Sequence, residues 1–277
     1  MTDLPPWITS PHPPLTHCLV DFPRAHVVVV TINRPEHANS LPGAASHELN
    51  LFWRWYDMEP GLRCAVFTGA GDAAFCAGMD LKERAADAFA GRQPHEYPAG
   101  QFAGMTNRTG RKPIIVACNG HAHGGGFEVL LNADVNFAVP GATFRLPEVL
   151  RGVSALAGAL PRAMLLFGNH RTMDLVLTGR TLEVEEAVAW GLVKEVVPRE
   201  KLLGRAVEYA GLIASMSPDS VIVSRLAARE AWETGVSRAT TRGQELWASA
   251  MMAGPNAAEG LAAFVEGRPA KWEPSKL

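Results

Sequence analysis

The sequence lacks the features that mark several specialised classes of protein. Only 19% of its 277 residues are charged, and 26 basic residues nearly balance 28 acidic ones, which gives a net charge of -2. Such a chain has no electrostatic basis for sequence-independent binding to nucleic acid or to an acidic membrane. No apolar run is long enough to span a bilayer, and the first residues lack the basic-then-apolar pattern of a secretory signal. We therefore expect neither nucleic acid nor membrane as a partner.

Cysteine is scarce, and its spacing matches no known framework. The four cysteines are Cys18, Cys64, Cys76 and Cys118. They show no CxxC or other metal-type spacing, so we expect free thiols in a reducing compartment. His121 and His123 form a His-x-His pair that could contact a metal, but no third ligand is apparent nearby. Packed or pocket-lining histidines are favoured over a metal site.

The most informative stretch is residues 112–131, which read KPIIVACNGHAHGGGFEVLL. Its apolar run at 114–117 predicts a buried strand, and the three glycines at 124–126 lead into a helical pattern with Glu128 in the first turn. A helix that begins at glycines leaves free N–H groups at its positive end. Those donors could hold a carbonyl oxygen that gains negative charge. The alternative is tight packing, with Glu128 as a solvated first-turn acid, and this stretch alone does not decide between them.

A second glycine-to-helix junction lies earlier in the chain. A predicted strand at 64–68 is followed by residues 73–78 and then by a helix start at Met79, whose backbone N–H is a candidate donor. Two such junctions on neighbouring strands are the parts of a two-donor oxyanion hole. A second carboxylate, Glu148, comes directly after the strand predicted at 143–146.

The chain divides into four predicted segments. Residues 1–16 hold five prolines and predict an extended or disordered arm. Strand–glycine–helix units repeat over 17–200, and 201–272 is helical, which indicates an α/β core with a helical appendage. The tail, 273–277, ends in Ser275-Lys276-Leu277, the address that the peroxisomal import receptor reads. We therefore expect a peroxisomal location.

Local patterns predict the main elements of this α/β fold. The predicted strands are 26–32, 64–68, 114–117, 135–139 and 143–146. The predicted helices are 45–58, 161–168, 202–216, 219–232, 240–252 and 257–265. The polar residues 85–111 predict a mobile loop with some helix, placed to flank a site.

These segments, in this order, resemble the crotonase superfamily, the enoyl-CoA hydratase/isomerase family. The matching parts are TINRPEHANSL at 31–41, 67–83, 112–128, TFRLPE at 143–148, 191–198 and 259–272. The resemblance covers about 27–272. It implies a spiral of ββα units with a helical C-terminal region that packs between subunits, as a homotrimer or a hexamer.

The resemblance also implies a site. The carbonyl oxygen of an acyl-CoA thioester would lie between the backbone N–H groups of Met79 and Gly125. Glu128 would activate water and Glu148 would protonate the α-carbon. Coenzyme A is part of the substrate, so no separate cofactor is expected. The further pocket residues that the resemblance implies are Ala77, Asp80, Leu81, Lys82 and Gly124, with Asp80 read mainly as a helix-end acid and Lys82 as a candidate contact for coenzyme A.

Retention of both glutamates favours an enoyl-CoA hydratase of fatty-acid β-oxidation or a related acyl-CoA route. One alternative is an enoyl-CoA isomerase or another crotonase-type reaction, and a second is a CoA-binding scaffold without turnover. Two departures from the family pattern leave the substrate open. The loop at 154–158 is shorter than the family's usual glycine-rich loop, and 267–269 replaces a usual basic run, for which Lys271 could substitute.

Overall fold

Ten strands in two sheets and eleven α-helices form the part of the chain that the computed structural model describes, residues 4–91 and 96–277. The strands are β1 Cys18–Arg24, β2 Val27–Ile32, β3 Cys64–Gly69, β4 Ala74–Cys76, β5 Ile114–Cys118, β6 His121–His123, β7 Val135–Ala138, β8 Thr143–Arg145, β9 Thr181–Glu183 and β10 Glu195–Val196. The helices are α1 Gly43–Met58, α2 Leu81–Phe89, α3 Gly125–Asn132, α4 Ala159–Phe167, α5 Asn169–Thr178, α6 Val184–Ala189, α7 Arg199–Ala214, α8 Pro218–Thr234, α9 Val236–Gly243, α10 Ser249–Ala253 and α11 Pro255–Glu266. Short 3₁₀ turns occupy Pro35–His37, Phe102–Gly104 and Pro147–Arg151, and a π-helical segment, Gln244–Ala248, joins α9 to α10. None of the helices in these residues is long and apolar enough to cross a membrane.

The larger sheet has the strand order β1-β2-β3-β5-β7-β10. Only β1 and β2 are antiparallel, and the other neighbours are parallel. Every residue of β3 and β5 is buried, as expected for central strands of a parallel sheet that is covered on both faces. This sheet forms the core against which the helices pack.

The smaller sheet has the order β4-β6-β8-β9, with β4, β6 and β8 parallel. Each turn of the chain therefore places one strand in the larger sheet, one in the smaller sheet and then a helix. The units are β3-β4-α2, β5-β6-α3, and β7-β8 followed by a 3₁₀ turn and α4. The expected spiral of ββα units is confirmed.

The helical C-terminal region is anchored to the core by ion pairs. Helix α7 packs on strands β2, β3 and β5. On α8, the Arg225 guanidinium lies 2.9 Å from the Asp134 carboxylate beside β7, and Arg229 lies 3.4 Å from the same carboxylate. The described part of the proline-rich arm has no helix or strand, and Thr9 and Ser10 donate hydrogen bonds to the Glu59 carboxylate after α1.

Several elements had no counterpart among the predicted ones, and β1 and α5 are the longest of these. Strand β1 alternates between inward and outward residues but contains Pro23, which a central strand would exclude; as an edge strand it tolerates the proline. Helix α5 buries only Thr172 and Leu175, so its apolar pattern is too short to predict a helix. The helix predicted at 240–252 is interrupted by the π-helical segment.

Candidate active site

The two glycine junctions of the sequence lie against each other. Gly78 follows β4 with a φ of +91°. A Cβ added there would lie 2.9 Å from the carbonyl oxygen of His123 and 3.2 Å from the backbone nitrogen of Gly125. Only glycine permits this approach, which brings the turn after β4 into contact with the N-terminus of α3.

Met79 and Gly125 both line a common cavity, and their backbone N–H groups are candidate donors. Leu41 forms a parallel bridge around Met79, because the Leu41 N–H donates to the Gly78 carbonyl at 2.9 Å and the Asp80 N–H donates to the Leu41 carbonyl at 3.0 Å. The Met79 N–H consequently points away from Leu41. Gly125 is the first residue of α3, where an N–H has no partner inside the helix. Both residues line the cavity, so the structure supplies two donors for an oxyanion.

The cavity has a volume of about 520 Å³, which suits a small acyl group. Its lining combines the two donors with two carboxyl groups and further polar side chains. The lining residues that matter for the chemistry are Met79, Gly125, Glu128, Glu148, Arg84, Tyr97, Gln101 and His123.

Glu128 projects from the first turn of α3 and is 5% exposed. Its Oε1 accepts a hydrogen bond of 3.3 Å from the Ala159 N–H at the start of α4. The pKa of this carboxyl is raised to about 7. Burial is the main cause, and the nearby charge of Glu148 is the second. Near neutral pH Glu128 can therefore hold or release a proton.

Glu148 lies in the 3₁₀ turn Pro147–Arg151 that follows β8. Its Oε1 lies so close to Gly124 that a Cβ added there would be 3.1 Å away. Its Oε2 is buried and has no hydrogen-bond partner among the described residues. Burial raises the pKa of this carboxyl as well. A buried carboxyl oxygen without a partner is an acceptor that a substrate proton could satisfy.

Together the two carboxyl groups form an acid–base pair beside the donors. Because partial or full burial raises both pKa values and like charges oppose double ionisation, the pair favours holding one proton near neutral pH. Glu128 is the more deeply buried carboxyl and its pKa is also raised by the charge of Glu148, so it can hold that proton near neutral pH. A carboxylate at Glu148 and a carboxylic acid at Glu128 can remove one proton and deliver another.

Of the other residues that were predicted to line the pocket, three do so in the structure and two do not. Ala77, Leu81 and Gly124 line the cavity with the donors. Asp80 is not among the residues that line the cavity. Its carboxylate lies 3.1 Å from Arg34 and accepts a 3.1 Å hydrogen bond from the Lys82 N–H, as expected of a helix-end acid. Lys82 is exposed outside the lining, and its contact with coenzyme A stays a prediction.

Sequence reasoning missed the polar wall of the cavity. Arg84, Tyr97 and Gln101 come from α2 and from the segment predicted only as a flanking loop. Gln101 has φ 58° and ψ -148°, a conformation that residues other than glycine rarely adopt. Tertiary bonds impose it, since the neighbouring Ala103 accepts from the Trp53 indole and donates to Ser46, each at 3.0 Å. No local pattern in the sequence signals this.

The cysteines and histidines do not form a metal centre within residues 4–91 and 96–277. All four cysteines are free and buried, and no group of three His, Cys, Asp or Glu residues there could hold a metal ion. His123 lines the cavity, which is the pocket-lining role considered for it.

Glu128→Gln is expected to stabilise the fold at pH 8. The carboxyl has a pKa of 4.5 in the unfolded chain and about 7 in the folded one. As the pH rises from 4.5 to 7, the unfolded state releases this proton first, so a stability penalty develops and is complete above pH 7. The amide removes that penalty, and we expect a gain of about 2–3 kcal/mol at pH 8 and little change near pH 4.

Urea unfolding at the two pH values measures this effect. The exposed Glu200→Gln is the matched control, with an expected change below about 0.5 kcal/mol at both pH values. Equal stabilities of wild type and Glu128→Gln at pH 8 would contradict a buried carboxyl of raised pKa.

Known proteins are similar to this chain in both sequence and architecture. A family model described as enoyl-CoA hydratase/isomerase matches residues 23–275. The mevalonyl-coenzyme A hydratase of Aspergillus fumigatus is 43% identical over 270 residues, which cover 97% of this chain and 99% of the relative. That of Beauveria bassiana is 44% identical over 276 residues, which cover 96% and 98%.

A solved structure agrees with these matches. The crystal structure of enoyl-CoA hydratase from Mycobacterium tuberculosis superimposes with a TM-score of 0.85 at 31% identity, over 94% of this chain and 99% of that one. The spiral of ββα units is therefore the crotonase fold, and the chain belongs to the enoyl-CoA hydratase/isomerase family.

Proposed function

We propose that this protein catalyses the reversible addition of water to a 2-enoyl-CoA thioester, and that its substrate pair is mevalonyl-CoA and the dehydrated 2-enoyl thioester. One observation carries the reaction type: two glutamates with raised pKa values line the same cavity as Met79 and Gly125, the residues of the two candidate backbone donors. The names of the two relatives that are 43% and 44% identical support the substrate.

The geometry supports a mechanism through an enolate. In the dehydration direction, the N–H groups of Met79 and Gly125 hold the thioester oxygen, and the Glu148 carboxylate removes the α-proton. The negative charge passes to the thioester oxygen between the donors. The C3–O bond then breaks, and Glu128 gives its proton to the departing hydroxyl, which leaves as water. Hydration is the reverse, with Glu128 taking a proton from water and Glu148 protonating the α-carbon.

Both acids are needed for hydration, which favours it over double-bond isomerisation. Shifting a double bond returns to one carbon the proton that was taken from another, and a single carboxyl can do both. The structure brings two carboxyl groups into one cavity, and both have a raised pKa because of burial. A CoA-binding scaffold without turnover gains nothing from this destabilising pair.

The polarity of the cavity supports a hydroxylated acyl group over a long alkyl chain. Arg84, Tyr97, Gln101 and His123 lie in its lining, and an alkyl chain would remove water from their polar atoms without replacing the hydrogen bonds. Mevalonyl-CoA keeps a terminal hydroxyl group after dehydration. A straight-chain thioester of fatty-acid β-oxidation is the alternative substrate.

The reaction is tested by the loss of enoyl absorbance with 5-hydroxy-3-methylpent-2-enoyl-CoA and with short and long straight-chain 2-enoyl-CoA. We expect wild type to hydrate the hydroxylated thioester fastest. Glu128→Gln and Glu148→Gln should each reduce kcat by about 10²–10⁴-fold, because each removes one proton-transfer group. Glu200→Gln should keep full activity. Activity on 3-enoyl-CoA that survives Glu128→Gln would favour the isomerase, and binding without any turnover would favour the scaffold.

We also propose that the protein is a homotrimer or a hexamer. Large apolar side chains of the C-terminal helices are exposed in the single chain: Val236, Leu246, Met252, Leu261, Phe264 and Val265. Phe264 is 86% exposed and Val265 83%, which is unusual for adjacent large apolar residues unless another chain covers them.

Light scattering should therefore give a mass of three or six chains. Phe264→Asp should shift the mass to smaller species, because it places a charge in the proposed interface. Met58→Asp, at a residue that is 72% exposed at the end of α1, is the control and should not change the mass. A monomeric wild type would contradict the proposal.

Finally, we propose that Ser275-Lys276-Leu277 directs the protein to peroxisomes. The tail lies on the helical region: the Glu273 N–H donates to Asn256 Oδ1 at 2.9 Å, and the Ser275 hydroxyl donates to Asp219. An import receptor would displace the serine contact in order to bind the last three residues.

Fluorescence microscopy of a fusion at the N-terminus tests this address. Full-length protein should collect in peroxisomes, and deletion of residues 275–277 should leave it diffuse. Asn256→Ala removes the two hydrogen bonds between Asn256 and Glu273 of the tail but keeps the address, so it should still be imported. Peroxisomal import of the deletion variant would contradict the proposal.

A further inference from the structure

One polar cluster in the cavity wall is not used by the proposed reaction. Strands β6 and β8 are parallel, with Ala122 opposite Phe144 and His123 opposite Arg145. Ala122 and Phe144 are fully buried in the core. Because side chains alternate along a strand, His121, His123 and Thr143 lie together on the other face of the sheet.

A single hydroxyl group connects the two histidines. Thr143 Oγ1 lies 2.7 Å from His121 Nδ1 and 3.0 Å from His123 Nε2. The two imidazole rings are stacked, with centroids 5.4 Å apart and an angle of 27° between the planes. His121 is exposed and His123 is half-buried, so the cluster runs from the surface to the cavity.

The hydrogen bonds couple the tautomers of the two rings. A threonine hydroxyl has one proton, so it donates to one ring and accepts an N–H from the other. If it donates to His123 Nε2, the neutral His123 carries its proton on Nδ1. If it accepts from His123 Nε2, Nδ1 is an acceptor. His123 can thus present either a donor or an acceptor at Nδ1, while its ring stays fixed.

His123 lines the cavity, and its Nδ1 is the ring nitrogen that the Thr143 hydroxyl does not occupy. This nitrogen has no hydrogen bond to a described residue, and it is not among the fully buried polar atoms without a partner. Burial, together with His121 and Arg145, lowers the pKa of His123 to about 4, which keeps the ring neutral at physiological pH. A neutral imidazole suits a hydroxyl ligand, which both donates and accepts a hydrogen bond.

We propose that His123 is a specificity-determining residue that recognises the terminal hydroxyl of the acyl chain, with Thr143 and His121 as the residues that position it. This inference rests on the proposed function. In the proposed mechanism Glu128 protonates the hydroxyl that leaves from C3, so the terminal hydroxyl needs another polar partner. His123 lines the cavity, and its Nδ1 is not bonded to Thr143, so this nitrogen is the polar partner that we assign to the second hydroxyl.

Two thioesters that differ only in the terminal hydroxyl test the inference, 5-hydroxy-3-methylpent-2-enoyl-CoA and 3-methylpent-2-enoyl-CoA. Wild type should prefer the hydroxylated one in kcat/KM. His123→Leu should lower kcat/KM on it by about 10–100-fold and change the other by less than about threefold, because only the hydroxylated substrate loses a hydrogen bond. Thr143→Val should also lower kcat/KM on the hydroxylated thioester more than on the other one. Thr143→Ser, which keeps the hydroxyl, should retain the wild-type preference.

The outcomes separate this inference from the proposed function. An equal loss on both thioesters in His123→Leu would assign the histidine a purely structural role and overturn the inference. A wild type that hydrates both thioesters equally well would also overturn it, but would leave the hydration reaction standing. No turnover of either thioester would contradict the proposed function, and the inference with it.

Discussion

The contact between the turn at Gly78 and the N-terminus of α3 is the constraint on which the site depends. A side chain at Gly78 would collide with the His123 carbonyl oxygen, so any larger residue would push the two strand ends apart. Their parallel pairing in the smaller sheet fixes the direction of both turns. Met79 and Gly125 consequently lie in the wall of the same cavity, where we propose that their N–H groups act as a pair of donors. The donors are held by the fold itself, so little reorganisation is needed when charge develops on the substrate.

The same architecture places the carboxyl groups of Glu128 and Glu148 where their ionisation lowers the stability of the folded state. Glu128 begins a helix whose other side chains are in the core, and Glu148 follows the neighbouring strand of the smaller sheet. Burial raises the pKa of both, and backbone N–H groups offset this only in part: the Ala159 N–H donates to Glu128 Oε1, while Glu148 Oε2 has no partner among the described residues. The fully buried strands β3 and β5 supply the apolar burial that offsets this penalty. Stability lost at the site is thus compatible with a well-packed core.

The sequence predicted those parts of the site that depend on local chemistry. Glycines before a helix predicted the donors, and the acids Glu128 and Glu148 could be placed because each follows a strong strand pattern. Asp80 could be read as a helix-end acid, but its ion pair with Arg34 could not be foreseen, because Arg34 is distant in sequence. Gln101 could not be found, since its backbone conformation is imposed by Trp53 and Ser46 through the adjacent Ala103. The buried strands β3 and β5 were predictable from their apolar runs, whereas β1 and α5 owe their form to tertiary packing.

The central claim is that the backbone donors of Met79 and Gly125 hold the thioester oxygen beside the two acids. A crystal structure with a saturated acyl-CoA thioester, which has the carbonyl oxygen but no double bond to hydrate, tests this most directly. The thioester analogue should place its carbonyl oxygen about 2.7–3.1 Å from both nitrogens. Its α-carbon should lie next to the Glu148 carboxylate. A carbonyl oxygen directed away from the two nitrogens, with the acyl group outside the cavity, would contradict the account.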